Sequence, residues 1–197
     1  MVATLLDKLA NEVKKAKAAG KAAPMIDLCD VAVKGTNIFC EESLGVPRIK
    51  MPQLKGVPTP GSPADRLPKD KNGKVVLDEP FRAYLEAQGL RVTSGLVPAA
   101  FLKATQNELD GAKAARFLRK YERGWVQDRA LFVSADDYIV DGHHHWAAKV
   151  AQDVRSATDV DRPFRIRRVH APILEILVHA LKFSTDITAV GRTFNID

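Results

Sequence analysis

The stretch Tyr138–Ala148, with the sequence YIVDGHHHWAA, constrains the fold of this chain more than any other. Its apolar Ile139-Val140 pair indicates the end of a short strand, and Asp141-Gly142 interrupts that strand. The residues from Trp146 onward have helical character, so the sequence predicts a strand, a glycine turn and a helix. A helix N-terminus presents free backbone N–H groups and a partial positive charge, which suits a phosphate group.

Three of the five histidines in the chain, His143, His144 and His145, stand in a row after the glycine. Neighbouring helical residues point about 100° apart, so the three imidazoles cannot chelate one metal ion together. Two interpretations stay open: half-buried polar residues at a helix start, or side chains that hold phosphates. Gly142 lets the backbone approach a ligand closely or take a positive φ. Asp141 is interpreted as a helix N-cap or as a carboxylate facing a metal ion.

The composition is that of an ordinary globular protein, and 197 residues are enough for one domain with a real core. No apolar run approaches the ~20 residues of a membrane span, and the N-terminus lacks the apolar region of a secretory signal. We therefore expect a cytoplasmic protein without a membrane partner. Cys29 and Cys40 lack zinc-site spacing and are expected to be free thiols, although a single disulfide stays open.

A net charge of +6 and a pI near 9.4 allow an anionic partner, including nucleic acid. Lysines are concentrated in the first predicted helix, and arginines at 116–123 and 162–168. Such runs are either solvated faces or a surface for nucleic acid.

Three regions are expected: a helical and proline-rich extension at 1–95, a core at 96–183 and a tail at 184–197. Helices are predicted at 2–19, 80–89, 110–123, 146–154 and from 172 onward, and strands at 75–77, 90–93, 130–133, 138–140 and 164–169. The prolines between 46 and 80 exclude a long helix or a central strand there. Within that region Arg48 and Lys50 lie on a proline-stiffened stretch. It is either an extended arm that covers the core or a loop that presents both cations to an anionic ligand.

Residues 97–150 resemble the ParB/sulfiredoxin fold. That family has a polar Q-x-E/R element, then a helix, a hairpin ending in DGHHR, and a helix whose N-terminus holds nucleotide phosphates. Gln106 and Glu108, the helix at 110–123 and the stretch Leu131–Ala148 occupy these positions here. The resemblance implies an α+β fold, with a small mixed sheet and flanking helices in a ParB/sulfiredoxin-like core and a helical, irregular N-terminal region.

The DGHHR branch, to which the motif is more similar than to the GERR of true ParB, includes nucleotide-dependent kinases of small hydroxyl compounds and ParB-like nucleases. Where its members carry arginine, this chain has His145, which binds phosphate less reliably near neutral pH. Arg48, Lys50 or the arginines at 165–168 are candidates for the missing cation. Alternatively, this member has changed or lost its activity.

The first functional hypothesis is a phosphotransferase or nucleotide hydrolase that uses ATP or another nucleotide with Mg²⁺, with a small hydroxyl compound as an acceptor. Its phosphates would bind at the turn Asp141-Gly142-His143-His144. The nucleotide-binding set is Gly142, His143, His144, His145, Gln106, Arg48 and Lys50. The catalytic set is Glu108, Asp141 and His144, with Asp141 assisting Mg²⁺ and Glu108 as general base. The structural alternative for Glu108 is a helix-start residue favoured by the helix dipole.

The second hypothesis is a ParB-like DNA-binding protein or nuclease, in which the turn binds a backbone phosphate and the basic surfaces engage DNA. A nuclease would need a divalent metal ion and would depend on Asp141 or His144. A sulfiredoxin-like reductase requires a cysteine beside the phosphate turn. Asp141 stands at that position, which argues against such a reductase.

Overall fold

The computed structural model describes residues 11–12, 14–16, 18–21, 25–27, 43–125, 129–156 and 163–187. The strands are β1 (Met25–Asp27), β2 (Lys55–Gly56), β3 (Val75–Val76), β4 (Val92–Val97), β5 (Glu108–Asp110), β6 (Leu131–Val133), β7 (Ile139–Asp141) and β8 (Phe164–Val169). The helices that we number are α1 (Asp78–Ala87), α2 (Gly111–Glu122), α3 (His143–Ser156) and α4 (Ile173–Ile187). Helices combined with small sheets confirm the predicted α+β class.

The largest sheet of the described region has four strands in the order β4-β8-β6-β7. The central strand β8 pairs antiparallel with β4 and parallel with β6, while β6 and β7 form the expected antiparallel hairpin. The alternation in β8 matches its burial, because Phe164 and Ile166 are buried and Arg165 between them is exposed. The sheet is therefore mixed, as expected.

The sheet is covered by apolar side chains on both faces, which explains why all of β6 is buried. Leu131 and Val133 join a cluster with the inner faces of α2 and α3. Phe132, which points to the other face, joins a second cluster with α1 and α4. Two cores on opposite faces fix both the sheet and the start of α3, which follows directly from β7.

The proline-containing stretch at 46–54 packs on the core, which is one of the two interpretations that its sequence left open. Met51 and Leu54 are buried in the second cluster, so the stretch does cover the core. At the start of the stretch, Val46 forms a parallel bridge with Gln106, which ties the stretch to the segment leading into β5. Arg48 begins a short 3₁₀ helix, Arg48–Lys50, beside this bridge.

Several predicted boundaries differ from the observed ones. The helix after the glycine turn begins at His143, so its first turn carries the three imidazoles, and it ends at Ser156, two residues beyond the expected end at residue 154. The boundary expected between residues 95 and 96 falls inside β4, and residues 51–92 share the second cluster with residues 132–183. Of the helix expected at 2–19, residues 11–12, 14–16 and 18 are helical. Cys29, Cys40 and residues 188–197 of the tail lie outside the described residues.

None of the helices in the described parts of the chain is long and apolar enough to span a membrane.

Candidate functional site

A cleft of about 550 Å³ has the N-terminus of α3 in its wall. Its lining comes from the loop after Val46, the loop before β3, one face of α2, the segment before β6 and the turn Asp141–His145. The described residues that line it include seven basic side chains and two carboxylates: Arg48, Lys55, Lys74, Lys113, Arg116, Lys120 and Arg129, with Asp70 and Asp141. The cleft is therefore strongly electropositive, which favours an anionic ligand.

His143 lies in this wall, but its ring is committed to the backbone. The backbone N–H groups of Thr105 and Gln106 donate to His143 Nε2 at 3.0 and 3.3 Å. Burial lowers the pKa of His143 to about 3, so the ring is neutral at physiological pH. An Nε2 that accepts hydrogen bonds is unprotonated, so the neutral ring carries its proton on Nδ1. His143 thus fixes the strand-like segment that precedes β5.

His144 has the same type of role one residue later. The backbone N–H of Asp110 donates to His144 Nε2 at 3.1 Å, at the point where β5 ends and α2 begins. Burial lowers the pKa of His144 well below its usual value, and the nearby cations Lys113 and Arg48 lower it further. His144 is therefore also neutral, with its proton on Nδ1. Together the two rings connect the start of α3 to both ends of the segment 105–110.

Gly142 makes the turn between β7 and α3, and its backbone explains why glycine is required. Its φ is +111°, and an added Cβ would lie 2.2 Å from Leu131 Cδ2 in the first core cluster. The Gly142 carbonyl accepts hydrogen bonds from the N–H groups of His145 and Trp146. The N–H groups of His143 and His144 belong to the first helical turn, where no intrahelical acceptor exists.

Asp141, the last residue of β7, is held by a cation. Arg129 Nη2 lies 3.4 Å from Asp141 Oδ2, and the same guanidinium makes a bidentate ion pair with Asp78 at the start of α1. Burial raises the pKa of Asp141, while Arg129 and Lys113 act to lower it. Burial acts to lower the pKa of Arg129, but its bonds to the two carboxylates outweigh this effect, so that pKa is raised.

His145 packs within a group of aromatic rings. Its ring centroid lies 3.7 Å from that of Phe117 and 5.5 Å from that of Trp125. Lys120 Nζ lies 5.3 Å from the Trp125 ring centroid and 5.7 Å from that of Phe117. All four residues line the cleft, so this part of its wall combines ring faces with a cation.

One face of α2 supplies most of the charge near the turn. Lys113, Arg116, Phe117 and Lys120 follow the i, i+3, i+4, i+7 spacing that places residues on one helix face, and they extend over about 10 Å of the helix axis. Burial lowers the pKa of Lys113, and Asp141 opposes this effect. The Asp110 carboxylate caps the helix by accepting from the Lys113 N–H at 3.0 Å.

The structure brings most of the predicted site residues to this cleft. Those that line it are Arg48, Gln106, Asp141, Gly142, His143, His144 and His145. The other two predicted site residues, Lys50 and Glu108, are described by the structure but lie outside the lining. Lys50 is exposed, and Glu108 lies in β5 opposite Asp27 rather than in the first turn of a helix. Gln106 Nε2 donates to the Glu108 carbonyl at 2.7 Å.

The arginines at 165–168, considered as a source of the missing cation, also lie outside the cleft lining. Arg167 pairs with Glu79, and Arg168 lies 2.7 Å from Asp137. Sequence reasoning missed Lys113, Arg116, Lys120, Phe117 and Trp125. The signal for the first three was present, because their spacing places cations on one face of a helix already predicted.

Comparisons of the chain with protein-family models, with curated proteins and with solved structures gave no match.

Proposed function

We propose that this protein binds a nucleotide in the electropositive cleft and carries out phosphoryl chemistry there, as a kinase or nucleotide hydrolase of ParB/sulfiredoxin-like type. One observation carries the proposal: the cleft combines a glycine turn at a helix N-terminus with seven basic side chains. A helix N-terminus contributes N–H donors and a partial charge, and lysine and arginine contribute full charges. Phosphoryl transfer depends mainly on such positioning and charge neutralisation.

The proposed ligand contacts use groups other than Nε2 of His143 and His144, because those two atoms already accept backbone hydrogen bonds. The backbone N–H groups of His143 and His144 receive phosphate oxygens, and the Nδ1–H of each ring is an additional neutral donor. Lys113, Arg116 and Arg48 supply the charge. His145, whose ring packs against that of Phe117, does not replace the arginine of the DGHHR branch, and the α2 cations take over that role.

Asp141 is the proposed acid–base group. Of the three catalytic candidates from the sequence, Glu108 lies outside the cleft lining and His144 Nε2 accepts the Asp110 N–H. The Asp141 carboxylate lines the cleft, and its pKa is raised by burial, which moves it toward the range in which a carboxylate exchanges protons. Arg129 and Lys113 compensate its charge when it is ionised.

The described residues around Asp141 do not form a metal site of their own. No group of three or more His, Cys, Asp or Glu side chains in the described part of the chain has metal-binding geometry, and Arg129 and Lys113 lie next to the Asp141 carboxylate. We therefore propose that Mg²⁺ enters on the phosphates of the nucleotide, which is how this ion commonly reaches nucleotide sites.

A second candidate is binding of a nucleic-acid backbone in the same cleft, because its basic side chains suit any chain of phosphates. The arginines of β8 give this candidate little support, since Arg167 and Arg168 are paired with acidic side chains.

The proposal is tested by thermal melting with ATP, ADP, CTP, GTP and duplex DNA, each with and without Mg²⁺. A ligand at ~100 times its dissociation constant should stabilise the fold by about 2.7 kcal/mol. We expect a nucleotide to raise the melting temperature, and an assay for nucleoside diphosphate release, with and without small hydroxyl compounds, follows for that nucleotide. A shift with DNA alone that disappears with salt would support the second candidate instead.

The matched variants are His144→Gln and His179→Gln. Glutamine keeps an acceptor for the Asp110 N–H but removes the Nδ1–H donor, so His144→Gln separates ligand binding from scaffolding. His179 lies on α4, outside the cleft lining, against Tyr84. We expect His144→Gln alone to reduce the nucleotide shift. No shift with any nucleotide in the unmodified protein would contradict the proposal.

A further inference from the structure

One part of the cleft wall consists of three aromatic rings with similar orientations, a feature that binding of phosphate alone does not require. The rings of Phe117, Trp125 and His145 are inclined to one another by only 28–36°, so they present similar orientations. Each of the three is partly exposed rather than buried in the core. Partly exposed aromatic rings beside a polar cleft offer apolar surface to a planar ligand.

The side chains that lie over these rings are long and exposed to solvent. Lys120 lies over the rings of Trp125 and Phe117, and Arg116 lies 6.0 Å from the Phe117 ring centroid. Both cations are exposed side chains of α2. A flexible side chain can move aside for a ligand at little cost, whereas a core side chain cannot. The ring faces are therefore open to exchange, and the displaced cations stay next to the ligand.

The ends of the α2 face differ in chemistry. Lys113 lies at the first turn of α2, where Asp141 and Arg48 influence its pKa. Lys120 lies toward the other end, about 10 Å away along the helix axis, with Phe117 between the two lysines and Trp125 just beyond the end of the helix. A ligand that spans this face meets charge and helix N–H groups at one end and ring faces at the other. A nucleotide has a matching division into phosphates and a planar base.

We propose that Trp125, with Phe117 and His145 packed beside it, is a stacking platform for the base of a nucleotide whose phosphates bind at the Gly142–His144 turn. This inference rests on the proposed nucleotide function and deepens it, because it requires an aromatic ring in the ligand. Base–aromatic stacking tolerates different bases, so the platform selects nucleotides over inorganic polyphosphates without selecting one base.

The test compares ATP with inorganic tripolyphosphate by calorimetric titration. Tripolyphosphate carries at least as much negative charge as ATP, so charge alone does not favour ATP. We expect ATP to bind at least tenfold more tightly. Trp125→Leu should remove this difference, and Trp125→Phe, which keeps a ring, should retain most of it. Neither variant should change the affinity for tripolyphosphate.

Tryptophan fluorescence gives an independent readout, because the chain has two tryptophans and Trp146 is fully buried. ATP, but not tripolyphosphate, should quench the emission, and Trp125→Phe should remove the quenching. Equal affinities for the two ligands, or an equal loss of both in Trp125→Leu, would overturn the platform and leave the phosphate site intact. Binding of neither ligand would overturn the proposed function as well.

Discussion

Two walls of the same cleft use their polar residues in opposite ways. In the turn Asp141–His145, which carries the most conspicuous motif of the sequence, Nε2 of His143 and of His144 accepts backbone N–H groups. On α2, which has no recognisable motif, Lys113, Arg116 and Lys120 face the cleft. The histidines of the motif therefore stabilise the fold, and the cations of α2 supply the positive charge of the cleft.

The difference follows from burial. A buried imidazole loses the solvation of its charged form, so His143 and His144 are neutral and act as hydrogen-bond acceptors. Arg116 and Lys120, in contrast, are exposed to solvent. Burial therefore decides whether the rings of such a histidine cluster carry a charge.

The largest expected effect concerns the turn. Gly142→Ala should lower the free energy of unfolding by about 3 kcal/mol, since it adds backbone strain at φ +111° and a clash with Leu131. Gly124→Ala is the control, because its φ of +80° is also strained but nothing lies within 4 Å of its added Cβ. Urea denaturation measures both. Equal losses would show that Leu131 yields without cost and that the turn is less constrained than described.

The next effect sharpens the contrast between neutral rings and charged side chains. The pKa of His143 is about 3 in the folded protein and about 6.5 when unfolded, so only the unfolded chain takes up a proton as the pH falls below 6.5. Stability is therefore full above about pH 6.5 and is lost progressively down to about pH 3. Between pH 7.5 and 5.5 this one group should cost about 1.4 kcal/mol.

The control for this pH effect is His143→Gln, which keeps an acceptor for Thr105 and Gln106 but does not titrate. Urea denaturation at both pH values should show a smaller loss in the variant, by about 1.4 kcal/mol. An identical pH dependence in the two proteins would mean that His143 is protonated as easily when folded as when unfolded.

An effect of similar size tests the other wall of the cleft, on α2. Arg116→Ala should weaken nucleotide binding roughly tenfold, or by about 1.4 kcal/mol, because a charged partner of the phosphates is lost. Arg119→Ala is the matched control, since Arg119 is also exposed on α2 but lies outside the cleft lining. Titration calorimetry at low salt distinguishes them. The same loss in both variants would indicate a diffuse effect of net charge rather than a contact in the cleft.

Local patterns predicted the elements that frame the cleft. The alternation in β8, the hairpin of β6 and β7 and the inner face of α2 can each be inferred from residues close together in sequence. The contacts that decide the roles of the histidines join residues 34 to 38 positions apart. Likewise, the Arg129–Asp78 pair depends on how α1 packs, which no local pattern specifies. The position of the glycine turn was therefore predictable from the sequence, but the hydrogen-bond partners of its histidines were not.

The most direct test of these histidine contacts is a ¹⁵N NMR titration of the imidazole rings between pH 8 and pH 5. We predict that His143 and His144 carry their proton on Nδ1 throughout and do not titrate, because burial lowers the pKa of both rings. Protonation of His143 or His144 near pH 6.5 would contradict the account, since a charged ring cannot accept the backbone N–H groups at Nε2.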